Sequence, residues 1–319
     1  MFTWLKTRWH RTGLTAYISH PDCLQHNMGT GHPECPERLT AIRDQLMASQ
    51  IFDGLQEIEA PEVTDQQLAR VHPPSYVEYL EACAPHVGTY RIDPDTAMSP
   101  GTLKAARRAA GAVVHGVDLV CEGKVPNAFC AIRPPGHHAE SGKAMGFCFY
   151  NNLAIGVAHA LTEHKLERVA IVDFDVHHGN GTEEIFHDDP RVMMVSIFQH
   201  PFYPYCGDKP LGTNMRNVPL RAGSGGREVR EVVENVWLPA LHEFQPQMLF
   251  VSAGFDGHRE DDMGSMGLVE ADYEWITRHL LQIADLYCHG RLLSVLEGGY
   301  ELSSLGRSVT AHIRVLSDG

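Results

Sequence analysis

The sequence predicts an α/β fold: a single-domain, mostly parallel open sheet flanked by helices. Three features predict it. Short β-branched or apolar runs alternate with helix-length stretches. Most runs are apolar throughout rather than alternating, as strands covered on both faces require. Polar clusters stand immediately after the runs, where loops diverge at the carboxyl ends of parallel strands and ligand crevices form.

The apolar runs fall at 14–19, 128–132, 168–172, 192–198, 248–252 and 292–296. The helix-like stretches between them fall at 36–47, 73–83, 101–121, 152–164, 227–244 and 270–288. No repeat, low-complexity tract or Pro/Gly/Ser linker divides the series. Residues 1–319 therefore read as one domain, with 1–13 as an extension less ordered than the rest.

Composition narrows the function classes. Of 319 residues 43% are hydrophobic, enough for a sizeable core. The balance of 26 basic against 40 acidic residues gives −14, which argues against a nucleic-acid surface and favours a cationic substrate or partner. Eight cysteines, at 23, 35, 83, 121, 130, 148, 206 and 288, form no CxxC pair, so reduced thiols inside a cell are expected. Residues 1–13 carry Lys6, Arg8 and Arg11 without an apolar core or small-residue cleavage site, so no secretory signal is expected. Nor does any segment approach the ~20 apolar residues of a membrane span, which leaves the cytoplasm as the expected location.

Five polar clusters follow strands: RPPGHH at 133–138, DFDVHH at 173–178, Gln199 with His200, DGHREDD at 256–262, and EGGY at 297–300. Any one alone reads as a cap, a turn or a satisfied core histidine; their coincidence at one rim points to chemistry. Asp175 and His177 are two apart, so in extended chain their side chains project to one side. Asp256 adds a second carboxylate. Two oxygens and a nitrogen leave positions open for water and substrate, the pattern of a catalytic zinc, although ferrous iron accepts the same donors. Two carboxylates cancel the ion's charge, so water beside it is less acidic than at a three-imidazole site and a separate base is needed. His137 and His138 are the candidates for that base, and Tyr300 for a donor to the developing oxyanion.

At this point the chain resembles the zinc-dependent histone deacetylases and their bacterial relatives, within the arginase-deacetylase fold. The resemblance covers nearly the whole chain: HPECPERL at 32–39, RPPGHHA at 133–139, GFCFYNN at 146–152, DFDVHHGNGT at 173–182, SAGFDGHRED at 252–261 and LEGGYEL at 296–302. The wording is nearer to class II than to class I.

The resemblance implies Asp175, His177 and Asp256 as zinc ligands, His137 and His138 in proton-transfer roles, and Tyr300 polarising the acyl carbonyl. It pairs Asp173 with His137 and Asn180 with His138. A carboxylate favours imidazolium whereas an amide only orients the ring, so His137 is expected to be charged and His138 neutral. It also implies an acyl-lysine channel at Phe147 and Tyr203, the latter a departure from the commoner phenylalanine, with Gly146 allowing close approach and Asp95 holding the substrate backbone or amine. A potassium ion is implied at Asp173, Asp175, His177, Ser196 and Ile197, and a second at Phe186, Asp189, Val192 and Asn214. Arg38 matches an arginine lining an internal cavity, with an ordinary helix salt bridge as its alternative.

The expected substrate is an acylated lysine peptide or protein, or an acylated small amine. A specialised polyamine deacetylase needs an acidic gatekeeper where this chain has Met263, although Glu260, Asp261, Asp262 or a residue of another subunit could substitute. An acyl-lysine-binding module with little turnover is disfavoured by Tyr300, where degraded relatives carry histidine. An arginase-like hydrolase is disfavoured because its two ions need more carboxylates than the single Asp-His-His segment supplies. The 20–36 loop is a candidate contact for a homo-oligomer.

Overall fold

A computed structural model describes residues 13–318; all but Gly13 of the expected extension lies outside the described residues. Strand β1 (Ala16–Ser19) leads through a 3-10 turn, Pro21–Gln25, to helix α1 (Glu37–Ala48) and strand β2 (Gln56–Glu59). Helices α2 (Asp65–Leu68) and α3 (Pro74–Cys83) precede an antiparallel ladder of β3 (Tyr90–Arg91) and β4 (Ala97–Met98). Next come α4 (Thr102–Cys121), β5 (Asn127–Cys130), α5 (Asn152–Thr162), β6 (Val169–Asp173) and α6 (Asn180–Phe186). Strands β7 (Val192–Gln199) and β8 (Met215–Leu220) lead to α7 (Gly226–Val232), which continues through a π turn at Val233–Trp237 into α8 (Leu238–Phe244). The chain closes with β9 (Met248–Ala253), α9 (Glu270–Tyr287), β10 (Leu292–Leu296) and α10 (Leu302–Asp318).

Eight strands form one sheet in the order β2-β1-β5-β10-β9-β6-β7-β8, with every neighbouring pair parallel. The five central strands are buried from end to end, which is why they read as unbroken apolar runs. The two edge strands escape that reading. β2 (QEIE) and β8 (MRNVPL) are largely open on one side and polar, so their sequences carry no apolar run.

Successive residues of a strand face opposite layers. Leu293 of β10 meets Gly116 of α4, whereas the next residue, Ser294, donates to or accepts from His312 of α10 at 2.9 Å. Helices α4 and α5 thus cover one face, and α10, packed between α1 and α9, covers the other. A smaller apolar cluster, including Tyr76, Leu80, Met98, Phe149 and Tyr150, supports the GFCFYNN segment from beneath. The Tyr76 hydroxyl fixes it by donating to the Phe149 carbonyl at 2.6 Å.

The register brings the strand ends level: Asp173 pairs with Ser196 and Ser252, Ser252 with Val295, and Val295 with Cys130. The polar clusters that follow β5, β6, β7, β9 and β10 therefore open onto one rim. All eight cysteines are free thiols, and among the described residues no helix is long and apolar enough to cross a membrane.

Candidate active site

The segment after β6 is held in shape by its own carboxylates. Asp173 Oδ1 accepts the Asp175 amide at 3.0 Å, and Asp175 Oδ1 accepts the His177 amide at 2.9 Å. These turns bring the Asp175 and His177 side chains to the same side, with His177 Nδ1 3.1 Å from Asp175 Oδ1. From β9, Asp256 is tied in by accepting the Val176 amide on Oδ1 at 2.9 Å. Its Oδ2 lies 3.2 Å from His177 Nδ1 but takes no hydrogen bond, a fully buried acceptor without a partner.

One ligand atom from each of Asp175, His177 and Asp256 lies within 4.8 Å of the others, and all three residues are buried. Glycines make room for the group: a Cβ on Gly298 would strike Asp256 Oδ2, and one on Gly254 would strike the Asp175 carboxylate. Burial and the neighbouring Asp175 push the Asp256 carboxyl up to about 7, a measure of how poorly two dry carboxylates tolerate each other without a cation. The orphaned Oδ2, the glycine cradle and the oxygen and nitrogen donor set all fit a divalent ion such as zinc.

The two histidines after β5 differ in their partners. His137 Nδ1 donates to Asp173 Oδ2 at 3.1 Å. Burial alone would depress its pKa, but the Asp175 and Asp173 carboxylates outweigh that and hold it near about 10. His138 Nδ1 donates to the carbonyl oxygen of Asn180 at 2.8 Å, and the Asn180 amide is oriented by donating to Glu140 at 2.9 Å. Burial, then the charges of His137 and His177, drive His138 well below the usual histidine range. His138 is therefore neutral, with Nδ1 protonated and Nε2 carrying the free lone pair.

Two residues organise this centre: the sequence reading assigned no role to Glu297, and offered Asp261 only as a substitute for an acidic gatekeeper. Glu297, buried at the end of β10, accepts the backbone amides of Gly136 at 2.7 Å and His137 at 3.1 Å, and so shapes the RPPGHH loop. Asp261 accepts the amides of Tyr300 at 2.6 Å and Glu301 at 3.0 Å, which holds the Gly-Gly-Tyr turn. Arg38, in the first turn of α1, pairs at 3.3 Å with Glu34 of the preceding loop rather than with a residue of its own helix, and also donates to the carbonyl of Gly299 at 2.6 Å. Its guanidinium lies 4.9 Å over the Tyr300 ring. Burial keeps the Tyr300 hydroxyl protonated by raising its pKa well above 10 despite Arg38.

Above the acidic group opens a pocket of about 240 Å³ that Asp95, His138, Gly146, Phe147, His177, Tyr203, Met263 and Tyr300 line. Every predicted substrate residue thus reaches one cavity. Gly146 and Phe147 both adopt left-handed backbone, at φ +57 and +68. A Cβ on Gly146 would collide with the His138 ring, so only glycine lets this wall close on the histidine. The Phe147 ring stands edge-on to Tyr300 at 5.8 Å, and Tyr203 edge-on to His138 at 5.1 Å. The structure adds Phe202, stacked on His177 at 5.4 Å, as well as Tyr205 and Asp262. No local pattern marks Phe202, since adjacent residues of extended chain face opposite ways.

The residues of the first expected potassium site lie together at the ends of β6 and β7, where Asp173 pairs with Ser196 and Ile197 follows. At the second, the carbonyls of Phe186, Asp189 and Val192 converge on the Asn214 amide nitrogen at 2.8, 3.1 and 2.8 Å. A further group, Asp118, His159 and His164, also brings ligand-type atoms together. There Arg70 donates to His159 Nδ1 at 2.7 Å, which leaves the proton on Nε2 to bond Asp118 and no lone pair for an ion.

Fold and site together define a parallel α/β enzyme whose sheet rim brings Asp175, His177 and Asp256 together beside a histidine pair and a phenol. The model of the histone deacetylase domain matches residues 32–316. A probable deacetylase of Archaeoglobus fulgidus is 37% identical over 297 residues, covering 91% of this chain and 82% of that protein. A histone deacetylase-like amidohydrolase of Pseudomonas aeruginosa is 36% identical over 301 residues, covering 92% of this chain and 79% of its own. The crystal structure of the HDA15 HD domain superposes with a TM-score of 0.91 at 35% identity, covering 96% of this chain and 88% of that one. The chain belongs to the histone deacetylase family and is an enzyme acting on amide bonds.

Proposed function

We propose that the protein hydrolyses the acyl-amide bond of an acylated amine, acetyl-lysine or a related compound, with Asp175, His177 and Asp256 holding zinc. The observation that carries this reading is the buried, unpartnered Asp256 Oδ2 beside Asp175 and His177 at the floor of an aromatic-walled pocket. When bound, the ion supplies Lewis acidity toward the carbonyl and makes nearby water easier to deprotonate.

His138, neutral and free at Nε2, takes the proton of the attacking water and returns it to the leaving amine. Asn180 keeps that ring oriented without charging it. His137 stays cationic against Asp173 and stabilises negative charge as it develops. Tyr300 keeps its proton and donates it as a hydrogen bond to the carbonyl oxygen. Phe147 and Tyr203 hold the apolar stem, and Asp95 the polar part at the mouth. A single-ion centre suits the neighbourhood, since His178 is taken up by Glu183 at 2.6 Å.

Potassium beside Asp173 and Ser196 belongs to the same proposal, as does a second ion among the carbonyls that Asn214 bonds. The cytoplasm is the proposed location, on the strength of eight unpaired cysteines. The test is hydrolysis of a fluorogenic acetyl-lysine substrate by the zinc-loaded protein, with Tyr300→Phe as control. Turnover that falls about 10²–10³-fold in the variant supports the reading. Binding of acyl-lysine without turnover by the unaltered protein would favour a reader module instead.

A further inference from the structure

We infer that Glu183, which lines neither the acyl pocket nor the Asp175-His177-Asp256 group, is a positioning residue: it holds the Phe202-Tyr203 wall at a fixed distance from the 173–178 segment and so sets how tightly the pocket grips its substrate. The inference rests on the amidohydrolase reading above and names a determinant of substrate fit for that site.

Between β7 and β8 the chain runs through 200–214 without a helix or strand. Phe202 and Tyr203 of this loop meet the pocket floor through their rings, Phe202 stacked on His177 at 5.4 Å and Tyr203 edge-on to His138 at 5.1 Å. Ring contacts are individually weak, so the wall stands where the rest of the loop is anchored. Among the described residues, two hydrogen bonds fasten 202–211 to the rest of the fold, and one carboxylate stands behind both. The Leu211 amide donates to Glu183 Oε1 at 2.9 Å. The Gly207 carbonyl accepts Asn217 Nδ2 at 3.2 Å, and the same nitrogen donates to Glu183 Oε1 at 2.7 Å. Asn217 Oδ1 accepts the Ser196 hydroxyl at 3.3 Å, which turns the amide nitrogen toward the loop.

The other oxygen of Glu183 reaches the 173–178 segment. His178, next to His177, donates from Nε2 to Glu183 Oε2 at 2.6 Å, and both side chains are buried. The loop rests on that imidazole at Gly207, the one buried residue of 205–211. Gly207 has a φ of +97, and a Cβ there would come within 2.5 Å of the His178 ring. A single carboxylate on α6 thus joins the segment that carries His177 to both anchors of the loop that carries the wall. Removing it leaves the donors of His178, Asn217 and Leu211 without their acceptor at once. The bonds that shape the floor, made by Asp173, Asp175 and Glu297, do not involve Glu183. The consequence therefore falls on substrate fit rather than on the chemical step.

Steady-state kinetics of the zinc-loaded protein on a fluorogenic acetyl-lysine peptide, with amide hydrogen exchange of 202–211, tests this. Glu183→Ala is expected to raise KM about tenfold, with kcat changed less than about threefold and zinc content unchanged. Asn217→Ala should act in the same direction, and exchange across 202–211 should quicken in both variants. Glu183→Gln keeps an acceptor for Leu211 and Asn217 and should bring KM back to within about threefold of the unaltered protein. Because the effect passes through the wall, Glu183→Ala should add little to the KM of a Phe202→Ala, Tyr203→Ala protein. Additive effects, a loss confined to kcat, or unchanged KM and exchange overturn the inference while leaving the hydrolase reading intact. Should Glu183→Ala fail to fold, Asn217→Ala and Glu183→Gln decide by the same readouts. No turnover by the unaltered protein overturns the hydrolase reading, and exchange alone then decides whether Glu183 holds the loop.

Discussion

The floor of the pocket and its mouth are built on different principles. On the floor the polar groups are buried and, Asp256 Oδ2 apart, answered by another: Asp173 and Asp175 cap the backbone of their own segment, Asp256 Oδ1 caps Val176, and Glu297 grips the histidine loop. At the mouth Asp262 has no hydrogen bond or ion pair among the described residues, Tyr205 is largely exposed, and the walls are the β3–β4 turn and loops beyond β5, β7 and β9. The difference teaches where selectivity can change. Altering the floor breaks a network in a low-dielectric interior, whereas altering the mouth changes an interaction that water already weakens.

The largest break in that comparison should come from His138→Ala. Removing the neutral base is expected to lower kcat about 10²–10⁴-fold on every substrate alike. A loss confined to one substrate would move His138 from the floor to the mouth in functional terms.

Next in size is an effect on stability at the boundary between the regions. His72 ties down the wall that carries Gly146 and Phe147, donating from Nδ1 to Ser141 at 2.9 Å and accepting the Asn151 amide on Nε2 at 2.9 Å. Burial pushes its pKa down to about 4 from an unfolded value near 6.5. The folded state thus binds fewer protons than the unfolded chain between those values, so this contribution is whole above about pH 6.5 and lost as pH falls toward 4. Urea unfolding should show a loss of roughly 3 kcal/mol across that window, part of which disappears in His72→Gln. Equal slopes in both proteins would remove His72 from the account.

The smallest effect is the change in KM for Glu183→Gln, at most about threefold, and it sharpens the comparison most. A fall in kcat of the same size with KM unchanged would place Glu183 with the floor.

Floor and mouth also differ in how legibly the sequence states them. Asp175, His177, Asp256 and the histidine pair stand directly after apolar runs, and the chemistry of their side chains announces the role. Glu297 follows a run as well, but its partners are backbone amides about 160 positions away, which no local pattern encodes. Behind the mouth Glu183 gains meaning only because one carboxylate reaches His178, Leu211 and Asn217 at once, a fact of packing rather than composition. The fold shows the same division. The five central strands were readable as apolar runs, whereas the polar edges β2 and β8 were not. Helix α10 went unread although its buried side carries Leu305, Val309, Ile313 and Leu316, because Ser304, Ser308, Thr310 and His312 interrupt that pattern, and the bonds of His312 to Thr277 and Ser294 are set by packing.

Metal analysis of the purified protein and of Asp256→Asn, with activity followed through chelation and zinc return, is the most direct test of the whole account. One ion per chain, lost together with activity on chelation, restored by zinc and strongly diminished in the variant, is the predicted result. Full hydrolytic activity in protein stripped of metal, or undiminished metal content in Asp256→Asn, would contradict it.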